Sequence, residues 1–311
     1  MRVQSLSVAT TGEIASATGP RKGEEHKMIP AKPEWLRKRL PVGAAVQAME
    51  GNLENNRLHT ICQEACCPNQ GECFSKGVAT FLIMGNVCTR NCRFCAVESG
   101  TPSALDVNEP MRLADEVKRL GLRFVVVTSV TRDDLPDGGA GHFARVIEVM
   151  RRECPGVGIE VLIPDFQGSR PALKAVVDAA PEVLNHNVET VPRLYASVRP
   201  QAAYSRSIEV LREAKALDPS LTTKSGLMVG LGETREEVLK VMVDLRSASC
   251  DVITIGQYLS PSACHHPVVE YVRPEIFEKY HRDAMRLGFR DAASGPFVRS
   301  SYMAEKYYRK P

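Results

Sequence analysis

The 311-residue chain lacks any run of about 18 consecutive apolar residues, which excludes a transmembrane helix. It lacks a dominant charge: 40 Lys and Arg stand against 37 Asp and Glu, a net charge of +3. That balance offers no electrostatic case for a nucleic-acid or anionic-membrane partner. Aromatic residues are few, at 6%, with Trp35 the only tryptophan. No internal repeat, low-complexity tract or G-x4-G-K-S/T phosphate loop is present. The start shows no basic region, apolar region and cleavage site in succession, so a cytoplasmic location is expected rather than secretion. What remains, 43% hydrophobic and 25% charged, is an ordinary globular mix. The length suits two domains of ~150 residues, or one α/β barrel of ~250.

Cysteine is what the chain has in excess. Seven of the ten, Cys62, Cys66, Cys67, Cys73, Cys88, Cys92 and Cys95, fall within 34 residues, while Cys154, Cys250 and Cys264 are scattered. A disulfide framework would not crowd them so and leave the rest unstapled. Metal ligands must converge on one point, and short loops make that convergence entropically cheap.

Residues 1–27 have no apolar periodicity and are expected to form a disordered tail. A transit peptide, and with it an organellar matrix, is the alternative, since Glu13 is the only acid before Glu24. The basic stretch at Arg37, Lys38 and Arg39 is a weak candidate surface for an acidic carrier. After Ala79 a rhythm begins. Strands are expected at 79–85, 123–130, 158–165, 183–190, 222–230 and 251–259. Amphipathic helices are expected at 109–122, 140–154, 169–180, 205–217, 234–249 and 274–288. The first helix carries Met111, Leu113, Val117 and Leu120 on roughly one face. Thr234 and Glu237 have the spacing of a capping box. Six successive βα units imply a parallel sheet with right-handed crossovers, either open and doubly wound or a barrel. Polar residues at the carboxyl ends of the strands, Asn86, Thr128, Asp165, Asn187, Glu189, Lys224 and Gln257, favour a barrel with one shared mouth.

Cys88, Cys92 and Cys95 follow the first strand in the spacing C-x3-C-x2-C. Three thiolates on a tight loop suit three irons of a cubic cluster and leave the fourth iron open to a small molecule. A structural zinc site wants four closed ligands, and an electron-transfer ferredoxin would supply a fourth cysteine nearby. Cys62, Cys67 and Cys73 form a second triplet, C-x4-C-x5-C, again without a near fourth ligand. Cys66, adjacent to Cys67, reads as a bystander.

The motif CTRNCRFC, with Phe94 before its last cysteine, in a loop after strand one of a six-unit βα chain, resembles the radical S-adenosylmethionine superfamily. The two triplets in succession resemble the lipoyl synthase family within it. So do PNQGEC, TRDDLPDGG, IEVLIPDF, HNVETVPRLY, GLGET, QYLSPSACHHP and GPFVRSSY, over residues 28 to 308 or so. Cys66, Gln63 and Phe74 depart from that pattern without touching a proposed ligand.

The resemblance implies a partial (β/α)6 TIM-type barrel, residues 79–290. An N-terminal extension, 28–78, and a C-terminal one, 291–311, would cover its mouth. It implies two 4Fe-4S clusters and S-adenosylmethionine. The open iron would chelate the cofactor's amino and carboxylate groups, and one electron would cleave it to a 5′-deoxyadenosyl radical. Two such cleavages would insert sulfur at C6 and C8 of an octanoyl chain on a carrier lysine. The second cluster would be the sulfur donor, and the serine before the tyrosine of its R-S-S-Y motif, Ser301, would be its fourth ligand.

The implied partners are octanoylated lipoyl carrier domains (2-oxoacid dehydrogenase E2 subunits and glycine cleavage H protein), an electron donor such as ferredoxin or flavodoxin, and iron–sulfur carriers that rebuild the consumed cluster. Thr128, Ser129, Asn187, Glu189, Arg199 and Gly230 are expected at the cofactor, with Arg132, Gly226 and Glu233 as further candidates. His265 and His266 are expected to shape the mouth, the Asp133–Asp134 pair to lie in a turn, and Cys154, Cys250 and Cys264 to fill space or lie on loops. The rivals are another radical S-adenosylmethionine sulfurtransferase or dehydrogenase with an auxiliary cluster, and a non-catalytic iron–sulfur electron carrier.

Overall fold

The structure, a computed structural model, describes residues 31–37, 43–76, 78–302 and 304–307. The expected tail, 1–27, and Lys38 and Arg39 of the basic stretch lie outside the described residues. All six βα units form. Their strands are β1 (Thr80–Ile83), β2 (Phe124–Ser129), β3 (Gly158–Leu162), β4 (Val183–Asn185), β5 (Thr222–Val229) and β6 (Val252–Gln257). The helices are α1 (Glu109–Leu120), α2 (Ala140–Glu153), α3 (Arg170–Asp178), α4 (Tyr204–Leu217), α5 (Arg235–Ser247) and α6 (Pro274–Arg286). A further strand, β7 (Asp291–Gly295), follows α6 and pairs parallel with β6. Spatial order equals chain order from β1 to β7, and the short strand His59–Thr60 lies antiparallel on the outer edge of β1. The sheet has two ends, as a partial barrel requires.

β-Branched and aliphatic side chains make the strands. Val125, Val127, Ile159, Val161, Leu184, Ile253 and Ile255 are all buried, each worth roughly 1.5–3 kcal/mol of hydrophobic stabilisation. The helices lay an apolar stripe on the sheet. In α1 that stripe is Pro110, Leu113, Ala114 and Val117; the expected Met111 is instead 39% exposed. Met111 stands two residues from Leu113, about 200° around a 3.6-residue turn, and so cannot share its face. The capping box of α5 is present: Glu237 N donates to Thr234 Oγ1 at 3.3 Å, and Thr234 N to Glu237 Oε2 at 2.8 Å. Lys224 does not reach the mouth. It is the third residue of β5 and its ammonium donates to both oxygens of Glu160 inside the barrel, both side chains fully buried.

The terminal segments meet over the carboxyl ends of the strands. Asn187 Nδ2, beyond β4, donates to Ser300 Oγ at 3.2 Å. A Cβ at Gly256, near the end of β6, would stand 2.1 Å from the Val298 carbonyl. Asn69 Nδ2, just before the helix Gln70–Ser75, donates to the Phe297 carbonyl at 2.7 Å and ties the N-terminal part to this strap.

Candidate active site

The chain leaves β1 through Met84 and Gly85, both left-handed at φ 68° and 87°. It then forms Val87–Cys88, which pairs with Glu98–Ser99 and closes a small loop around Cys92 and Cys95. Cys88 Sγ accepts from the Arg90 and Thr131 amides at 3.4 and 3.3 Å. Cys95 N donates to Cys92 O at 3.0 Å, so these two residues share a tight turn. Desolvation pushes the Cys95 thiol up to about 12, with Cys92 and Cys88 among its charged neighbours. Desolvation also raises Cys92, and the charge of the neighbouring Arg199 opposes the rise. Burial thus disfavours free thiolates at Cys92 and Cys95, so metal binding there must displace protons.

One thiol of the second triplet is raised in the same way. Burial pushes Cys62 up to about 12, with Cys67 and Cys73 adding to the rise. Cys67 N donates to Cys62 O at 3.0 Å and Gln70 N to Cys67 O at 3.1 Å, so successive turns lead from Cys62 to the helix Gln70–Ser75 that carries Cys73. Cys66 is exposed at φ 49°, turned out of this arrangement. Arg299 is half-buried beside Cys67; desolvation lowers its guanidinium, and negative charge at Cys67 opposes that. Asn69, between Cys67 and Cys73, donates its Nδ2 to the Phe297 carbonyl at 2.7 Å. Arg299-Ser300-Ser301-Tyr302 thus lies against the Cys62–Cys73 segment, with Ser301 half-buried. No three His, Cys, Asp or Glu side chains among the described residues converge closely enough for a single metal ion. Thiolates of a polynuclear cluster stand further apart, because each binds a different metal.

Inside the mouth, several buried polar atoms find no partner among the described residues. They are Ser129 Oγ, His186 Nε2, Asn187 Oδ1, Arg199 Nε and Ser294 Oγ. Buried polar groups are nearly always paired, so this set fits a polar ligand. Arg199 is fixed by its Nη1, which donates to the Asn187 and Val188 carbonyls at 3.0 and 3.3 Å, and by the Tyr195 ring 5.4 Å below. Glu189, left-handed at φ 64°, accepts from Asn187 Nδ2 at 2.9 Å, and burial raises its carboxyl. Asn187, Glu189 and Arg199 are therefore brought together, while Ser129 stands at the end of β2, two strands away, with its hydroxyl unpartnered.

Other candidates have partners of their own. Thr128 Oγ1 donates to Leu162 O at 3.0 Å. Gly230 serves a turn: φ is 97°, and a Cβ would lie 2.2 Å from Gln257 Nε2 and 2.4 Å from Glu270 O. A Cβ at Gly226 would stand 2.6 Å from Asn187 Oδ1. Glu233 accepts from the Gly230 and Leu231 amides at 2.6 and 2.9 Å, which makes it a turn residue. Arg132 does meet a carboxylate, but that of Asp134, at 2.8 Å, while Asp133 pairs with Arg90. Gln257 accepts from Val272 N and donates to the Tyr258 and Glu270 carbonyls, bracing the loop after β6. Cys154 and Cys250 are buried against carbonyls and Cys264 is exposed.

His265 and His266 go beyond shaping the mouth. His265 Nε2 lies 3.0 Å from Cys95 O, and His266 N donates to Arg93 O at 2.7 Å, so the loop after β6 clasps the Cys88–Cys95 loop. Sequence reasoning missed His186 and Ser294. Their only signal is position at a strand end, beside Asn187 and within β7.

Residues 82–245 match the radical SAM superfamily. A curated relative from Caldanaerobacter subterraneus subsp. tengcongensis, named lipoyl synthase, is 59% identical over 278 residues, 89% of this chain and 97% of that protein. One from Caldicellulosiruptor saccharolyticus, of the same name, is 58% identical over 275 residues, 88% and 96% of the two chains. Among solved structures, Streptococcus suis SuiB bound to S-adenosylmethionine superposes with a TM-score of 0.56 at 9% identity, covering 78% of this chain and 58% of that one. Methylornithine synthase does so at 0.51 and 14%, covering 81% and 75%. At such identities the two structures speak for the fold alone. With the relatives matched at more than half identity over almost their whole length, the chain belongs to the lipoyl synthase family of the radical SAM superfamily.

Proposed function

We propose that this chain is a sulfurtransferase that inserts one sulfur atom at each of C6 and C8 of an octanoyl chain, itself in amide linkage to a lysine of a lipoyl carrier domain. The observation that carries the reading is the near full-length identity to lipoyl synthases, in a chain whose two cysteine triplets both pack against segments of one barrel mouth. Cys88, Cys92 and Cys95 would hold one 4Fe-4S cluster, leaving an iron for S-adenosylmethionine. Cys62, Cys67, Cys73 and Ser301 would hold the second. When bound, the cluster and S-adenosylmethionine supply the electron and the hydrogen-abstracting radical that unactivated C–H bonds demand.

The chain's own residues bind and orient. Arg199 offers a fixed guanidinium to a carboxylate. Glu189 and Asn187 offer acceptors to hydroxyl or ammonium groups, and Ser129 a hydroxyl. Thr128 and Gly230 support this group by holding the strand ends in register. The strap over the mouth, packed on Gly256 and bonded to Asn187, limits water around a reactive intermediate. Ser301 offers a hard oxygen beside three soft thiolates, which makes its position the most readily released.

Residues 28–78 and 291–311 act as extensions that serve the barrel, 79–290. The partners that suit the reaction are E2 subunits of 2-oxoacid dehydrogenases and the glycine cleavage H protein, ferredoxin or flavodoxin as reductant, and iron–sulfur carriers that rebuild the donor cluster. The cytoplasm is the location such partners imply; no helix among the described residues is long and apolar enough to cross a membrane.

Iron and sulfide analysis of anaerobically reconstituted protein should find about eight of each per chain, as two cubic clusters require. Cys92→Ala should abolish S-adenosylmethionine cleavage, whereas Ser301→Ala should lose product far more than cleavage. Equal loss of both in Ser301→Ala would contradict the division of labour between the two triplets.

A further inference from the structure

The loop between Cys88 and Cys92 carries one charged side chain that turns inward. Arg90 is 5% exposed, and its guanidinium forks. Nε and Nη2 donate to Asp133 Oδ2 and Oδ1 at 2.6 and 2.9 Å, and Nη2 also to Asp165 Oδ1 at 2.7 Å. Asp133 lies beyond β2 and Asp165 beyond β3, so one side chain ties the loop to two neighbouring strand ends. The Asp165 carboxylate is fully buried, and its second oxygen accepts from Arg206 Nη1 of α4 at 3.2 Å. Burial opposes its ionisation, but the Arg90 hydrogen bond and charge outweigh that and hold the carboxyl well below the usual range.

The fold encloses Asp165 at a conformational cost. Phe166, Gln167 and Gly168 are left-handed in succession, at φ 43°, 52° and 82°. Two of the three are not glycine, and such residues cost of the order of 1–3 kcal/mol each. The turn they make brings Gln167 N onto Asp165 Oδ1 at 3.1 Å and Gly168 N onto the Asp165 carbonyl at 2.8 Å. Phe166 is anchored edge-on to Phe143, ring centroids 6.3 Å apart. Backbone strain clusters where surrounding structure has a use for it. Here the strained turn meets the carboxylate that grips the cysteine loop.

The loop has further anchors of the same kind. Thr89 N donates to Thr131 O at 3.0 Å, Asp133 N to Thr89 Oγ1 at 3.1 Å, and Ser99 Oγ to Arg90 O at 3.1 Å. Those bonds stitch its edges, while Arg90 holds its middle.

We infer that Arg90, Asp133 and Asp165 are positioning residues that keep the Cys88–Cys92 limb in its ligand-presenting conformation before any iron is bound. The inference deepens the proposed function and rests on the assignment of Cys88, Cys92 and Cys95 as cluster ligands. Removing one partner of a buried ion pair is strongly destabilising, because a charge is left uncompensated. A lysine at position 90 keeps the charge but loses the planar fork that spans two carboxylates.

The test uses the full-length chain without iron. Alkylation by iodoacetamide is followed residue by residue by peptide mass spectrometry, with Cys62, Cys67 and Cys73 as the reference within the same molecule. Asp165→Asn and Arg90→Lys should alkylate at Cys88, Cys92 and Cys95 at least ~10-fold faster, with the reference triplet unchanged, as local opening becomes easier. An unchanged ratio in either folded variant overturns the inference. If Asp165→Asn unfolds the whole chain, Arg90→Lys decides alone, and an equal rise at both triplets there overturns it as well. In the reconstituted Arg90→Lys chain the electron paramagnetic resonance spectrum of the reduced Cys88–Cys95 cluster should shift; a parent-like spectrum also overturns it. The alkylation ratio needs no cluster, so absence of iron binding in the parent chain would sink the ligand assignment separately.

Discussion

His186 stands wholly buried among Asp165, Arg90 and Arg199, and its Nδ1 lies 2.9 Å from the Ile163 carbonyl. A carbonyl only accepts, so Nδ1 carries the proton and Nε2 presents a lone pair to the mouth. Desolvation, helped by the Arg199 charge, lowers the imidazole from its ordinary 6.5 to about 4. The unfolded chain therefore binds the proton more readily than the folded one across that interval. Stability is whole above pH 6.5 and falls as pH drops toward 4, by about 3 kcal/mol if the shift is fully expressed. Denaturant titrations of the iron-free chain at pH 7.5 and 4.5 should show that loss, and His186→Asn should flatten it; an equal loss in both would contradict a neutral buried imidazole. At this scale the cysteines were legible, because ligand spacing is local. His186, Ser294 and the clasp from His265 were not, since their roles depend on which strand end or backbone carbonyl lies across the mouth. Cys95 and His265 meet across 170 positions of sequence.

The six βα units were legible because period and β-branching agree in each of them. β7 was not: Asp-Ala-Ala-Ser-Gly has no apolar alternation and becomes a strand only because the edge of β6 is there to pair with it. Nor did sequence show why Gly256 is a glycine. In β6 it gives the strap from Phe297 to Tyr302 room to cross the mouth, and an added Cβ would press on the Val298 carbonyl and carbon at 2.1 and 3.1 Å. Backbone cannot yield as a flexible side chain does, so Gly256→Ala should loosen the strap by roughly 1–3 kcal/mol. Hydrogen exchange at residues 297–302 should then quicken by about 10- to 100-fold while that of β2 and β3 stays put. Parent-like exchange in the strap would show that it does not depend on this close approach.

For the molecule as a whole, three distant stretches of the chain meet near the mouth: the segment around Cys62–Cys73, the loop after β1, and the strap that carries Ser301. Ten cysteines in the sequence said only that a metal was more fitting than disulfides. Spacing divided six of them into two triplets. The fold adds that burial raises thiols in both triplets, Cys92 and Cys95 in one and Cys62 in the other, with Arg199 beside Cys92 and Arg299 beside Cys67. The central claim is that this arrangement transfers sulfur rather than electrons. Its most direct test is turnover of an octanoyl-lysine peptide by the anaerobically reconstituted chain with reductant and S-adenosylmethionine, read by mass spectrometry of the peptide. The account predicts a product carrying two added sulfur atoms at C6 and C8. A peptide that returns without sulfur, while S-adenosylmethionine is cleaved, would contradict it.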